Sequence, residues 1–283
     1  MIIYVTTHKL KPDAYSVSTI IDEMITRGIK VKFYDISFDD IRTKPLPHMI
    51  YVCHPMLSWM ASSYYELESK GVVVLSDINS SLIASDKWLS YKALSSANIK
   101  TPITQLIGKN EIPDVGWPCI IKPTCRWSSQ GATLVSNIKE LSNAYLNASK
   151  YKNNQVIAQE YLNYMNNLVV VANTIGKDVF SVYMSIGRGG FMSAVDEYDR
   201  AVIPMIKPPN DIINIAKKVI QNIPISISRM EMMITPDGPS IIDINSGGAR
   251  AWLDVCSQKN SAKYLLDYLL EKYEDIIANR KYS

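Results

Sequence analysis

Arg229-Met230-Glu231-Met232-Met233-Ile234-Thr235-Pro236-Asp237-Gly238-Pro239-Ser240-Ile241-Ile242-Asp243-Ile244-Asn245-Ser246 is the stretch that decides how this chain is read. Two apolar runs, 230–234 and 241–244, flank Pro236-Asp237-Gly238, a turn that folds the chain back as a hairpin. Pairing the runs brings Glu231 close to Asp243 and Asn245. Two carboxylates and an amide carbonyl are hard oxygen donors of the kind Mg2+ prefers, with water and phosphate oxygens completing its octahedron. Alone, the set would serve any magnesium or calcium site, and what lies upstream narrows it.

Composition bounds the alternatives. The 283 residues are enough for two or three lobes, and 47% hydrophobic with 20% charged residues is the balance of a globular protein. A net charge of +3, with Lys and Arg scattered, argues against a nucleic-acid partner. Cys53, Cys119, Cys125 and Cys256 form no CxxC pair and have no histidine at zinc spacing, so no zinc site is expected. The apolar start, residues 1–5, is only strand length and runs into Thr6-Thr7-His8-Lys9, unlike a secretory signal. No run approaches the roughly 18 apolar residues of a membrane span, so a cytoplasmic protein with no membrane partner is expected.

Residues 1–78 alternate strand and helix patterns: strands at 2–5, 29–34, 49–53 and 72–75, helices at 14–26 and 59–69. This is a small parallel α/β lobe. Residues 79–97 read as one helix, which ends before Pro102 because the residue preceding a proline is biased away from helix. It leads into a second lobe, 79–160, with strands at 103–107, 119–122, 132–135 and 155–162 and a helix at 138–148. The third lobe, 161–283, opens with a hairpin around Gly176-Lys177, continues with a helix over 211–221 capped by Asn210, and closes with the hairpin above and a helix over 261–278.

Neither GxxxxGK[ST] nor GxGxxG occurs, so phosphate must be held by other means. The candidates are Lys87, in Ser85-Asp86-Lys87-Trp88, and Lys122, at the end of the apolar run Cys119-Ile120-Ile121. A lysine in the second position has its stem packed and its ammonium presented as a point charge. Between Pro123 and Gly131 a small-polar loop with Ser128, Ser129 and Gln130 offers backbone N–H groups and hydroxyls to phosphates. Alone, each lysine is more often a solvated surface residue, and the loop is equally an ordinary turn; their weight lies in combination. Glu160-Tyr161-Leu162, at the end of a strand, offers a backbone edge against which an adenine can pair.

Asp86-Lys87, Ile121-Lys122-Pro123, Ser128-Ser129-Gln130-Gly131, Gln159-Glu160-Tyr161-Leu162, Arg229-x-Glu231 and Asp243-x-Asn245 together resemble, in order, the motifs of the ATP-grasp superfamily. Within it, the chain's length resembles that of the RimK-like and LysX-like amino-acid ligases. The resemblance implies an N-terminal parallel α/β lobe followed by two α+β lobes sandwiching ATP. It implies that Lys87 and Lys122 contact the phosphates, that Ser128, Ser129, Gln130 and Gly131 cover them, and that adenine meets Glu160, Tyr161 and Leu162. Glu231, Asp243 and Asn245 would hold one or two Mg2+ ions, with Mn2+ as a substitute, and Arg229 would neutralise the phosphoryl group in flight.

Three departures from the family pattern stand out. Glu231 and Asp243 are exchanged relative to the usual aspartate-then-glutamate order, the loop is poor in glycine and carries Arg126-Trp127, and Asn167-Leu168-Val169 stands where RimK-like enzymes carry Asp-x-Arg. That last contact is sought instead at Arg188 or Arg200.

The chemistry implied is carboxylate activation as an acylphosphate, then attack by an amine, with Gly247, Gly248 and Arg250 as candidates for the oxyanion and a substrate carboxylate. Small carboxylates and amines are the expected partners, a peptide or carrier-protein terminus is admitted, and so is a homo-oligomer. A small-molecule kinase of the same fold and a non-catalytic nucleotide binder are the alternatives.

Overall fold

Short apolar runs separated by amphipathic helices produce, in the first 78 residues, β1 (Ile2–Thr7), α1 (Tyr15–Thr26), β2 (Lys30–Asp35), β3 (Met49–Val52), α2 (Ser58–Ser69) and β4 (Val73–Leu75). The strands pair in parallel in the order β2-β1-β3-β4. Ile3 and Val5 meet Val17 and Ile20 of α1 on one face, while Tyr4, Ile50 and Val52 meet Met60, Tyr64 and Leu67 of α2 on the other. Coverage on both faces explains why β3 is apolar at every position. The structure, a computed structural model, describes residues 1–9, 14–126, 130–151, 155–162, 168–187, 200–246, 254 and 256–280.

Residues 79–97 do not form one helix. The chain makes α3 (Ile78–Ser85) and α4 (Lys87–Ser96), with Asp86 between them in an extended conformation at φ −116°, ψ 116°. Its carboxylate Oδ1 accepts from Trp88 N at 2.9 Å and Leu89 N at 3.0 Å, so a side chain that competes with the helix backbone ends one helix and starts the next. The pattern of apolar residues runs through the break, which is why it reads as continuous.

β5 (Thr104–Ile107), β6 (Cys119–Pro123), β7 (Thr133–Val135) and β8 (Val156–Glu160) form an antiparallel sheet in the order β5-β8-β6-β7, with α5 (Ile138–Ser149) packed on it through Leu141, Ala144 and Ala148. β9 (Leu168–Ile175), β10 (Asp178–Gly187), β11 (Arg200–Pro204), β12 (Ile227–Thr235) and β13 (Gly238–Ser246) form a larger sheet, β11-β10-β9-β12-β13. Strand β11 is not foreseen in the sequence pattern. Between β11 and β12 lies α6 (Asn210–Asn222), whose N-cap is Pro209 rather than Asn210. The proline's fixed φ (−55°) suits the entry, and Asp211 Oδ1 takes the Ile212 amide at 2.9 Å, so Asn210 is already helical.

One face of the large sheet, with Ala172, Met230, Met232, Ile241 and Ile244, is covered by α3, α4 and α6. Helix α7 (Ser261–Arg280) joins this sheet to the N-terminal one: Leu265, Leu266 and Leu269 are fully buried among Ile3, Val5, Ile175, Phe180 and Ile227. The opposite face of the large sheet carries the candidate site.

Candidate functional site

The closing hairpin forms in the expected register: Thr235 pairs with Gly238 around the two-residue turn, Arg229 lies opposite Asn245 and Glu231 opposite Asp243. Alternation along β12 turns Arg229, Glu231 and Met233 to one face while Met230 and Met232 enter the core beneath. On β13 the register shifts between Asp243 and Ile241, so Ile242 is the extra residue of a bulge and joins Met233 on the site face. Bulges re-aim side chains next to sites, and here the bulge lets an apolar residue and the carboxylate after it share one face.

The charged groups meet there. Arg229 contacts Glu231 at 3.0 Å, Lys87 Nζ lies 3.6 Å from Asp243 Oδ1, and Asn245 Nδ2 donates to Asp243 Oδ2 at 2.9 Å. Tyr183 on β10 also hydrogen-bonds Arg229, and burial pushes its phenol pKa up, keeping it protonated. Lys87 is the first residue of α4, so the Asp86 break that ends α3 is also what aims this lysine. Its amide donates to Thr124 O at 2.9 Å and its ammonium to Arg126 O at 2.8 Å, tying it to the end of β6. Cys125 Sγ donates to Asp86 Oδ2 at 3.1 Å across the same joint, and burial with the adjacent carboxylate raises the thiol pKa to about 11.

Lys122, on β6, donates to Gln159 Oε1 at 2.8 Å, and Gln159 in turn donates to Thr104 Oγ1 at 3.0 Å. Burial first, then the positive charge of Lys87, lowers the Lys122 pKa to about 8, while Asp243 and Glu231 oppose the shift. This mutual influence places Lys122 within electrostatic reach of the hairpin from another sheet. Gln130 is exposed, and Gly131 has φ +76° with its absent Cβ position only 2.6 Å from the Tyr151 ring, so a glycine is required there. Arg126 stacks over the same ring at 4.8 Å. Both ends of the loop are thus fastened to Tyr151.

Glu160 closes β8. Its amide donates to Ile103 O at 2.8 Å and its carboxylate accepts the Ile103 amide at 3.1 Å, so this residue anchors the strand end. Tyr161 and Leu162 continue past it, and Leu162 is buried with Val169, Val171, Met233 and Ile242. Met233, two residues beyond Glu231 on the same strand face, is a site residue that the period-two pattern would have revealed; Ile242 reaches the site through the bulge, for which the sequence gives no signal. Ser128, Ser129, Arg188, Gly247, Gly248 and Arg250 lie outside the described residues, and Arg200 is described only as the first residue of β11.

A family model for the ATP-grasp domain matches residues 84–247, which include Asp86, both lysines and the whole hairpin. The chain belongs to the ATP-grasp family. Its relatives include the formate-dependent phosphoribosylglycinamide formyltransferase of Sulfurisphaera tokodaii, 32% identical over 117 residues that make up 38% of this chain and 29% of that protein. They also include a probable alpha-L-glutamate ligase of Shewanella denitrificans, 21% identical over 72% of this chain and 70% of that one. Among solved structures, the D-alanine–D-alanine ligase from Bacillus anthracis complexed with ATP superposes with a TM-score of 0.76 at 18% identity, covering 99% of each chain. The two lobes and the N-terminal sheet are therefore the ATP-grasp fold.

The donor set of this ATP-grasp chain fits Mg2+. Among the described residues no group of three or more His, Cys, Asp or Glu gathers as a metal cluster, so the candidate is the mixed set of Glu231, Asp243 and Asn245. Glu231 and Asp243 each have a basic side chain beside them, Arg229 at 3.0 Å and Lys87 at 3.6 Å, so their oxygens stand among groups that also suit phosphate. No helix among the described residues is long and apolar enough to cross a membrane.

Proposed function

We propose that this chain is an ATP-dependent ligase that joins a carboxylate to an amine through an acylphosphate, releasing ADP and phosphate. The observation that carries the proposal is the convergence of Lys87, Arg229, Glu231, Asp243 and Asn245 on one face, with Lys122 reaching toward them from the lid sheet. Phosphoryl transfer asks a protein for positioning and charge neutralisation, and these groups supply both.

Adenine lies against Tyr161 and Leu162, with Met233 and Ile242 on its apolar side. Lys87 and Lys122 take the phosphate oxygens, and the loop whose ends rest on Tyr151 covers them with Ser128, Ser129, Gln130 and Gly131. Glu231, Asp243 and Asn245 hold Mg2+, with Mn2+ as a substitute, and the bound ion supplies charge neutralisation to phosphate oxygens. Arg229, held between Tyr183 and Glu231, presents its guanidinium to the group in transfer. A carboxylate oxygen of the acid bonds to the γ-phosphorus as the bond to ADP breaks. The amine nitrogen then bonds to the acyl carbon, phosphate leaves with the former carboxylate oxygen, and the nitrogen loses a proton. Gly247, Gly248 and Arg250 are proposed for the oxyanion and substrate carboxylate, and Arg188 and Arg200 for a further substrate contact.

Incubation with Mg-ATP, pooled small carboxylates and hydroxylamine tests this. Acid-dependent hydroxamate is expected. Acid-dependent ADP release without hydroxamate would indicate transfer to a hydroxyl, and nucleotide binding with no ADP release across the panel would indicate a binder.

A further inference from the structure

The lid sheet carries a polar row that crosses from its edge strand to Lys122. In the order β5-β8-β6-β7, β8 lies between β5 and β6, and the register sets Thr104, the first residue of β5, opposite Gln159 of β8, and Gln159 opposite Ile120 of β6. Residues opposite each other share a face, and Lys122, two beyond Ile120, shares it as well. The other face, with Ile121 and Ala158, is the one packed against α5. Thr104, Gln159 and Lys122 therefore line up across three strands on the face that α5 leaves.

The hydrogen bonds along this row run in one direction. Thr104 Oγ1 lies 3.0 Å from Pro102 O, Gln159 Nε2 lies 3.0 Å from Thr104 Oγ1, and Lys122 Nζ lies 2.8 Å from Gln159 Oε1. The two ends fix every role between them. A carbonyl only accepts, so the threonine hydroxyl gives its single proton to Pro102 O and keeps lone pairs for Gln159. An ammonium only donates, so the amide atom that faces Lys122 is the oxygen, and the NH2 group is left for the threonine.

Both middle members are buried, Thr104 at 4% and Gln159 at 5% exposure, so the amide has little water to replace a lost partner. The row also begins in a segment that is fastened to the hairpin. Lys100 O accepts the Ile241 amide at 2.9 Å and Thr101 Oγ1 donates to Ile241 O at 2.9 Å, one residue before the Ile242 bulge. The chain of neutral groups from Pro102 to Gln159 thus starts beside the strand that carries Asp243 and ends on the lysine of the other sheet.

Resting on the ligase proposal, in which Lys122 takes ATP phosphate oxygens, we propose that Thr104 is a positioning residue: its hydroxyl locks the Gln159 amide with Oε1 toward Lys122 and so holds the ammonium in place before ATP binds. A lysine ammonium on its flexible stem has no fixed place of its own. One of its three donors goes to Gln159, which leaves two for phosphate oxygens. Without the hydroxyl the Gln159 NH2 group loses its acceptor and the amide is free to turn, and a turned amide sets NH2 against the ammonium.

The test measures Mg-ATP binding by calorimetry and acid-dependent ADP release for the full chain. Thr104→Val, which keeps the shape and removes the hydroxyl, should weaken ATP binding and raise KM for ATP about three- to tenfold, the scale of one neutral hydrogen bond, with kcat close to that of the parent. Thr104→Ser should stay close to the parent in both, and Thr104→Ala, which differs from valine in volume, should match Thr104→Val. In a Lys122→Met background Thr104→Val should lose no further ATP affinity, because the group it positions is gone. Parent-like affinity in Thr104→Val and Thr104→Ala, a loss in Thr104→Ser as large as in these, or an equal loss with and without Lys122 overturns the positioning role while the ligase proposal stands. The expected shifts in Mg-ATP binding without acid-dependent ADP release in the parent overturn the ligase proposal alone.

Discussion

On the β12–β13 hairpin each working charge has a charged neighbour, Arg229 beside Glu231 at 3.0 Å and Asp243 beside Lys87 at 3.6 Å. On the lid sheet Lys122 is held instead by the neutral amide of Gln159, with another lysine within electrostatic reach. The hairpin side is therefore balanced before any ligand arrives, and its geometry is preset by a strand register that the core beneath enforces. On the lid side the Lys122 ammonium is buried, a cost that Asp243 and Glu231 only partly offset. In the proposed function an arriving polyphosphate relieves that cost, so the two sheets would divide the work: one preorganised, the other gaining by meeting its ligand.

The largest effect should come from breaking the preset half. Asp243→Asn or Glu231→Gln should lower the rate of ADP formation by about 100- to 1,000-fold, the range for removing a group that stabilises transferring charge, with circular dichroism and Tm close to those of the parent. Asn245→Ala should act in the same direction. Normal turnover in any of these would remove the hairpin from the site.

Lys122→Met probes the other half and should weaken ATP binding by about 10- to 100-fold, as expected for a hydrogen bond to a charged group, measured by calorimetry. The parent should also lose ATP affinity as pH rises through about 8, where the ammonium deprotonates, and the variant should not. For the ligand-free chain the sign is opposite. The folded pKa of about 8 lies below the ordinary lysine value of 10.5, so between these the unfolded chain binds more protons and this lysine makes stability increase with pH. Its unfavourable contribution is fully present below about 8. Urea titrations of parent and variant across that window would separate the two.

Gly131→Ala should be smaller, because it alters the seat of the loop and leaves the charges in place. A positive φ of 76° and a 2.6 Å approach to Tyr151 make any Cβ unfavourable by about 1 to 2 kcal/mol, and KM for ATP should rise several-fold in steady-state kinetics. Asp86→Ala should be smallest, losing about 1 kcal/mol of cap energy on α4 in urea unfolding. Asp86→Asn, which can still cap, should recover most of it.

Much of this comparison is legible in the linear chain. Alternating apolar residues around Pro236-Asp237-Gly238 give the register that sets Glu231 against Asp243, because a strand pair with one buried face admits no slip of one residue. The four parallel strands, the Gly176-Lys177 hairpin and the order of the motifs follow from the same local signals. The break at Asp86 is not legible, since the apolar pattern crosses it and only the competition between a carboxylate and the helix backbone decides. Capping of α6 by Pro209 and the existence of β11 escape for related reasons: neighbouring residues offer near-equal local solutions, and the sheet edge selects one.

The sequence by itself determined which residues are candidates for the chemistry and in what order they come, because carboxylates, lysines and strand periodicity are local properties. Tertiary structure alone decided how they meet. The bulge at Ile242, the aim of Lys87 from the start of α4 and the lowered pKa of Lys122 all depend on groups from distant segments sharing a low-dielectric space. Distance and desolvation are set by packing across the whole chain, and no window of sequence contains them.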